Sequence, residues 1–334
     1  MMTINKDAYM PILKWRMGEY QALMRLTDEV KDAIVPLFVI PPVEYDFDEK
    51  RPKRTLEEHI SPFADRYRIK WGNRKSLIDI DISLENQKML SGKGALLHIF
   101  EEMRSNKGNA IPVISPRNGA EHLKDVKTIF KKDNRGLALR LRIEDLIDKH
   151  FIENIETLLK NLDCEKEQVD LIVDLVAPQA FEPYQGFGKA LISIIKRIDG
   201  LNRYRSFVVA GTSLSVNDVK QPGADVSRHE WLFYKYLHSS YKIEARIPAF
   251  ADYTIERPEF VALDMRLIKS SGKIVYTTKD KWHVQKGGAF RDNPSQMQKH
   301  CNNIIKSSHY EGASYSAGDL RIKQTAKGEE NYGN

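Results

Sequence analysis

Cysteine is nearly absent from this chain of 334 residues, which contains only Cys164 and Cys301. Two thiols far apart in the sequence exclude a disulfide framework and a cysteine-based metal site, and they suit a reducing compartment. An HExxH motif is also absent, and the nine histidines are scattered along the chain. We therefore expect no metal site.

Long apolar runs are missing as well. No stretch approaches the roughly 20 apolar residues that span a membrane, and the N-terminus lacks the pattern of a secretory signal. The composition, 41% hydrophobic and 29% charged, is typical of a globular protein that can bury a full core. Together these features predict a cytoplasmic protein without a membrane anchor.

Nucleotide-binding motifs are incomplete. The segment GFGKAL (186–191) lacks the third glycine of a dinucleotide fingerprint and does not follow an apolar strand. The segment SGKGAL (91–96) lacks the upstream glycine of a phosphate loop. We therefore expect no bound cofactor.

What the chain does contain is an alternation of short apolar strands with helical segments. The candidate strands are 9–16, 33–41, 76–84, 110–117, 136–143, 169–177, 204–213 and 245–253. Eight such units within about 245 residues predict an α/β fold, a (β/α)8 TIM-like barrel over residues 1–253. A doubly wound open sheet is the alternative. We expect residues 254–334 to form a C-terminal extension packed on the barrel.

Charged residues lie within several of these strands. In SLIDIDISL (76–84) two carboxylates are two residues apart and share one face of a strand. Side chains alternate between the two faces of a strand. Applied to the other predicted strands, this alternation places four cations, four carboxylates and one tyrosine in the barrel lumen. They are Lys14, Arg16, Arg140, Arg142, Asp79, Asp81, Asp174 and Asp252, with Tyr253. Burial demands such a balanced set, because an unpaired buried charge is costly.

Two interpretations of these charges stay open. They form a structural ion-pair network that fills the lumen, or they bind a small anionic ligand at the carboxyl ends of the strands. In the second case arginines clamp the anion, and a carboxylate acts as base or metal ligand. The candidates at this rim are Arg16, Arg117, Arg142, Asp81, Asp174, Glu19 and Glu44.

The seventh predicted strand ends in hydroxyl residues. In VAGTSLSV (209–216), Thr212 and Ser213 follow a glycine at the place where barrel enzymes often bind phosphate through backbone N–H groups. The same residues are equally suited to capping a helix N-terminus. The sequence does not choose between a phosphate site and a cap.

The net charge of +6 permits contact with an acidic partner such as nucleic acid. The segment 269–291 interleaves basic and aromatic residues, a pattern that suits phosphate contact and base stacking. Its candidate contacts are Lys273, Lys279, Lys281, Trp282 and Lys286. We favour the other interpretation, a solvated edge hairpin protected by lysines, with Trp231 and Trp282 as packing anchors.

Several segments together resemble one family. They are YMPILKWRMGEYQALMRL (9–26), IVPLFVIPP (34–42), RHEWLFY (228–234), PAFADYTIERPEF (248–260), KIVYTTKDKWHVQKGG (273–288) and YSAGD (315–319). Their order and spacing resemble the beta protein family of satellite phages, prophages and bacterial genomes. Relatives usually continue beyond the equivalent of GEENYGN (328–334) into a short tail, so we expect this chain to be a shorter form.

The resemblance implies a function in phage defence. It implies that the protein is encoded beside a cell-killing partner called Gop, which it restrains, and it supplies no catalytic residues. Our first hypothesis is therefore an antitoxin-like protein that neutralises or regulates a toxic partner by direct binding. The alternatives are a barrel enzyme acting on a phosphorylated or nucleotide-like ligand, and a nucleic-acid-binding protein.

Overall fold

The computed structural model describes residues 4–240, 246–260 and 269–329. Eight strands form a closed barrel in which each strand is parallel to both neighbours, and the last pairs with the first. The strands are β1 (Tyr9–Leu13), β2 (Leu37–Ile40), β3 (Lys75–Ile80), β4 (Asn109–Ile114), β5 (Leu137–Arg142), β6 (Val169–Asp174), β7 (Ser206–Ala210) and β8 (Ala249–Asp252). The predicted (β/α)8 barrel is confirmed, and the open sheet is wrong.

Helices separate the strands and continue after the barrel. They are α1 (Met17–Met24), α2 (Asp28–Ala33), α3 (Leu56–Ile60), α4 (Phe63–Lys70), α5 (Ala95–Ser105), α6 (Ala120–Asp133), α7 (Ile143–Ile147), α8 (Phe151–Asn161), α9 (Tyr184–Ile195), α10 (His229–Ser240), α11 (Gln296–Lys306) and α12 (Ala317–Lys327). A short hairpin, Tyr45–Asp46 with Arg51–Pro52, follows β2. No helix in the described part of the chain is long and apolar enough to cross a membrane.

The core between barrel and helices follows from strand parity. In β2, Phe38 and Ile40 belong to the large apolar cluster shared with the helices, so Leu37 and Val39 face the lumen. Phe38 packs against Trp15 with ring centroids 4.8 Å apart. One face of each apolar strand therefore builds the outer core, and the other is left to fill the barrel.

The chain divides into two compact units. The first comprises residues up to Thr212 together with Phe233–Thr254, and it contains the whole barrel. The second comprises Ser213–Leu232 and the chain from Ile255 onwards. Within the range predicted as a C-terminal extension, residues 261–268 and 330–334 lie outside the described residues, as does Ala245 of the last predicted strand.

The second unit is built on a three-stranded antiparallel sheet. Lys281–Ala289 is its central strand, flanked by Gly223–Ser227 and Ser271–Thr277. Tyr276 packs with α11 and α12 in a small apolar core and donates a hydrogen bond of 2.6 Å to Asp319. The same carboxylate accepts from the hydroxyl of Ser316, the residue that caps α12.

Candidate functional site

The barrel lumen contains an apolar layer between two polar layers. Along β3, Lys75, Leu77 and Asp79 share the inward face, and along β6 Asp170, Ile172 and Asp174 do the same. Leu77 lies in register with Leu37 of β2, which in turn lies beside Ile12 of β1. Apolar side chains thus separate a polar network at the amino-terminal end of the strands from another at the carboxyl-terminal end.

Arg140 of β5 is the centre of the network at the carboxyl-terminal end. Its Nε donates to Asp174 Oδ2 at 2.9 Å, its Nη1 to Asp79 Oδ2 at 2.9 Å, and its Nη2 to the Tyr253 hydroxyl at 2.7 Å. The Tyr253 hydroxyl donates in turn to Asp174 Oδ2 at 2.6 Å. All three guanidinium nitrogens are therefore engaged by the protein itself.

Burial and charge oppose each other in this network. Burial by itself raises the pKa of Asp174, but the adjacent Arg140 charge and the hydrogen bonds from Tyr253 and the Val176 N–H outweigh it, and the pKa is lowered. Burial raises the pKa of Tyr253 far above its ordinary value. At neutral pH the network therefore contains an arginine paired with the ionised carboxylate of Asp174 and bridged to it by a neutral phenol.

A second network lies at the amino-terminal end of the strands around Asp170. Arg205 donates to both carboxylate oxygens at 2.9 and 2.7 Å, Lys75 donates at 3.1 Å and the Ser206 hydroxyl at 2.7 Å. None of these four residues is among the predicted site residues, although the alternation of the predicted strand 169–177 places Asp170 on the same inward face as Asp174. The spacing of Lys75 from Asp79, four residues along one strand face, is the signal that could have revealed Lys75.

Acid should destabilise the protein through these two carboxylates. Burial raises the pKa of Asp170, but hydrogen bonds from Arg205 and the charges of Lys75 and Arg205 outweigh it and hold the pKa below 3.8, as for Asp174. A carboxylate with a lower pKa in the folded chain stabilises the fold above its unfolded pKa, and this stabilisation is lost as pH falls through the folded pKa. We expect the free energy of unfolding to fall below about pH 4.

Denaturant unfolding at a series of pH values between neutrality and acid measures this effect. The control is Asp174→Asn, which removes one of the two titrating carboxylates and should therefore lose less stability between neutral and acid pH than the wild type. Equal losses for both proteins would contradict the assignment of this carboxylate to the acid transition.

Arg16 and Asp81 do not enter the lumen, so their predicted placement is wrong. The strand β1 ends at Leu13 and Trp15 has a positive φ of 51°, which breaks the alternation before the exposed Arg16. Asp81 follows the end of β3 and accepts hydrogen bonds from the N–H of Ser83 at 3.0 Å and from its hydroxyl at 2.6 Å. It caps the short turn after the strand.

Asp252 also faces away from the lumen, contrary to the prediction. Its Oδ1 accepts from the Tyr9 hydroxyl at 2.5 Å and from the Thr254 N–H at 2.9 Å. Tyr253, the next residue, points inward to Arg140. The prediction assigned the inward and outward faces of β8 the wrong way round. Neighbouring residues of a strand point to opposite faces, so an error of one residue exchanges the two faces.

The remaining rim candidates lie in the segments that follow the strands, Glu19 in the first turn of α1, and they are engaged by other groups of the protein. Arg117 donates to Asp145 at 2.8 Å. Glu19 accepts from the N–H groups of Lys14 and Arg16 at 3.1 and 3.0 Å, and Glu44 pairs with Lys53 at 3.0 Å. Lys14 itself is buried, as predicted for a lumen residue.

Arg142 differs from these rim residues. Its backbone N–H donates to Asp145 at 2.7 Å, and its charge lies close enough to Tyr253 to lower the pKa of the phenol. Its Nε is buried and has no hydrogen-bond partner among the described residues. The Nε–H of Arg142, at the carboxyl-terminal end of β5, is therefore a hydrogen-bond donor without an acceptor among the described residues.

Thr212 and Ser213 do not form a phosphate site. Thr212 is buried and donates its N–H to the Val176 carbonyl at 2.9 Å. The N–H of Ser213 donates to the buried carboxylate of Glu230 at 3.1 Å, and the Ser213 hydroxyl donates to the same oxygen. A carboxylate occupies the position that a phosphate would need, so an anion there would be repelled.

The basic segment 269–291 contains structural as well as exposed side chains. Trp282 is 2% exposed beneath Arg228, and Lys286 donates to the carbonyls of Val216, Asn217 and Val219. Neither residue is available to nucleic acid, which corrects their candidate roles. The exposed members are Lys273, Lys279 and Lys281.

Large apolar side chains are exposed in the segments that follow the carboxyl ends of the strands, in loops and in the helices α1 and α7. Their exposed fractions are 69% for Met17, 41% for Tyr45, 64% for Ile82, 91% for Leu90 and 61% for Ile147. Each follows β1, β2, β3 or β5 along the chain, so all lie on the carboxyl-terminal side of the barrel. We call these residues the apolar rim. This rim was not predicted, because the predicted strand 76–84 extends through Ile82, whereas β3 ends at Ile80.

The sequence model of the Beta protein family matches residues 9–334. This chain belongs to the Beta protein family. Two of the segments that resemble the family, 9–26 and 248–260, meet in the barrel. There the Tyr9 hydroxyl of β1 donates to Asp252 at the end of β8. YSAGD begins the capped helix α12 of this Beta protein, and its Asp319 is the buried acceptor for Tyr276.

Two solved structures of chitinase domains have a low similarity to this chain. The catalytic domain of a hyperthermophilic chitinase from Pyrococcus furiosus is 12% identical with a TM-score of 0.40, covering 75% of this chain and 84% of that one. Catalytic-site mutants of active domain 2 of chitinase from the same organism give a TM-score of 0.39 at the same identity and coverage. No curated protein matches the chain. A likeness at this level says nothing about the activity of this Beta protein.

Proposed function

We propose that this Beta protein neutralises a toxic partner by direct binding at the carboxyl-terminal side of its barrel, as an antitoxin-like component of phage defence in the cytoplasm. The apolar rim is the observation that carries the proposal. Four of its five members are more than 60% exposed, which is costly for an isolated surface. Several large apolar side chains exposed on one side of a fold suit a surface that binds another protein.

The state of the lumen supports binding over catalysis. The guanidinium of Arg140 is saturated by Asp79, Asp174 and Tyr253, and Asp174 is fully buried. A general base must reach a proton of its substrate, and a buried carboxylate that already accepts from Arg140 and Tyr253 does not. The polar lumen thus acts as a rigid filling that supports the loops above it.

The surroundings of the apolar rim suit a protein partner. Exposed charged residues of both signs lie on the same side of the barrel, Arg16 and Glu44 beside rim residues and Arg117 after β4. Apolar centres with polar margins are the usual composition of protein interfaces. From the family resemblance, we propose that the partner is the cell-killing protein Gop encoded beside the gene.

Co-expression tests the proposal. Cells that express the toxic partner alone should stop growing, and cells that also express this protein should grow. A tagged form of the protein should retain the partner in a pull-down. Failure to rescue growth together with no retention would reject direct neutralisation, and rescue without retention would reject the binding step.

A second candidate function is recognition of a small anion, favoured by the unsatisfied Nε of Arg142. Arginine binds phosphate or carboxylate groups through paired N–H donors. Inorganic phosphate and a nucleoside monophosphate should then raise the melting temperature of the wild type but not of Arg142→Met. The control is Arg203→Met, which removes an exposed arginine paired with Glu167. Equal shifts in all three proteins, or no shift at all, would exclude the site.

A further inference from the structure

Two histidines and a carboxylate converge in the second unit. Asp225 and His283 lie directly opposite each other in the antiparallel sheet, with His283 Nδ1 2.6 Å from Asp225 Oδ1. His309, from the segment between α11 and α12, places its Nε2 3.5 Å from Asp225 Oδ2. One ligand atom from each residue lies within 4.8 Å of the other two.

These distances suit a bound metal ion. With bonds of about 2.0–2.1 Å, neighbouring donors in a tetrahedral zinc site are roughly 3.4 Å apart. The observed separations lie on both sides of that value, so small side-chain rotations bring the donors to it. The exposed fractions of the side chains are 34%, 16% and 28% for Asp225, His283 and His309. The donors are therefore held by the fold and still reachable from solvent.

A second layer of polar groups orients His283. Its Nε2 lies 3.0 Å from Gln285 Nε2, and Gln285 Oε1 accepts from Asn303 at 2.9 Å. Histidines that bind metals usually donate a hydrogen bond from their other ring nitrogen to an oxygen acceptor. Rotation of the Gln285 and Asn303 side-chain amides together presents Gln285 Oε1 to the Nε2–H of His283 and keeps the hydrogen bond between the two amides.

One cation competes for the carboxylate. Lys281 Nζ lies 3.8 Å from Asp225 Oδ2, and its side chain is 54% exposed. A flexible, half-exposed lysine contributes little to stability through such a contact. It is therefore displaced from Asp225 at small cost when a stronger positive charge arrives.

We propose that Asp225, His283 and His309 bind a divalent transition-metal ion of the Zn2+ class. Two imidazoles and one carboxylate match the nitrogen and oxygen ligands that zinc takes, and three protein ligands leave a fourth position for water or a donor from a partner. The ion ties the segment before α12 to the sheet. The expectation of no metal site missed the cluster because its members come from three separate segments.

Isothermal titration of the full chain with Zn2+ after treatment with a chelator tests the site. We expect one ion per chain and visible absorption bands of tetrahedral Co2+ when cobalt replaces zinc. His283→Asn and His309→Asn should each weaken Zn2+ binding by at least about tenfold and remove the bands, since each deletes one of three ligands. The matched control is His150→Asn, because His150 lies 3.5 Å from a single carboxylate, Glu153, in the other unit.

Further variants separate metal binding from folding. Gln285→Ala should weaken Zn2+ binding by about 10- to 100-fold while leaving the three ligands in place. Lys281→Met should bind Zn2+ at least as tightly as the wild type, because it removes the competing charge. Melting curves of the variants without metal verify that they fold. Absence of Zn2+ binding by the folded wild type, or equal affinity of the two histidine variants and the wild type, would overturn the proposal.

Discussion

Replacing Arg140 by methionine should lower the free energy of unfolding by about 3–5 kcal/mol, because it leaves two carboxylates in the lumen without their cation. Asp174 is fully buried, and Asp79 has a side chain only 16% exposed. Methionine fills similar volume, so the loss reports the charges more than a cavity. Urea unfolding of wild type and variant measures the difference.

The control for this prediction is an exposed arginine pair. Arg203 and Glu167 are each 55% exposed, and Arg203→Met should cost no more than about 1 kcal/mol. Adding Asp174→Asn to Arg140→Met should restore part of the lost stability, because it removes one of the unpaired charges. An Arg140→Met variant as stable as Arg203→Met would show that the network does not hold the lumen together.

Replacing Ile82 or Leu90 by aspartate should weaken the complex with the toxic partner by at least about tenfold, since each places a charge within an apolar contact. Both side chains are already exposed, at 64% and 91%, so stability should change little. Affinity measured with purified proteins gives the effect on binding, and growth under co-expression should fall in parallel.

Ile69 provides a matched control for the apolar rim. It is 62% exposed, close to the value for Ile82, but it lies near the end of α4, which leads into the start of β3 at the opposite end of the barrel. Ile69→Asp should bind the partner as the wild type does. If Ile69→Asp and Ile82→Asp weakened binding equally, the partner would not be selecting the carboxyl-terminal side.

The barrel could be predicted from the sequence because its signal is repeated along the chain. Short apolar segments such as VDLIVD in β6 alternate with longer helical ones, and parallel strands joined by helices have few possible arrangements. The sequence contains no comparable repeated pattern to indicate that residues 213–232 belong to the second unit. Their place in that unit depends on pairing between Gly223–Ser227 and a strand more than fifty residues later.

The side chains that point into the lumen could be predicted only for residues inside regular strands, where successive side chains alternate between the two faces. Asp79, Arg140 and Asp174 lie inside regular strands and meet as expected. Arg16 and Asp81 lie beyond strand ends, where turns and caps reorient each side chain. Whether a lumen charge meets a ligand or another side chain is a matter of distances across the barrel, which alternation along single strands does not contain.

Hydrogen–deuterium exchange of the protein, alone and bound to its toxic partner, tests the central claim most directly. Binding at the apolar rim predicts slower exchange in the segments 14–20, 42–48, 81–92 and 143–150, which carry the rim residues. Exchange of α4 near Ile69 should not change. A complex that leaves these segments unprotected and slows exchange elsewhere would contradict the proposed binding surface.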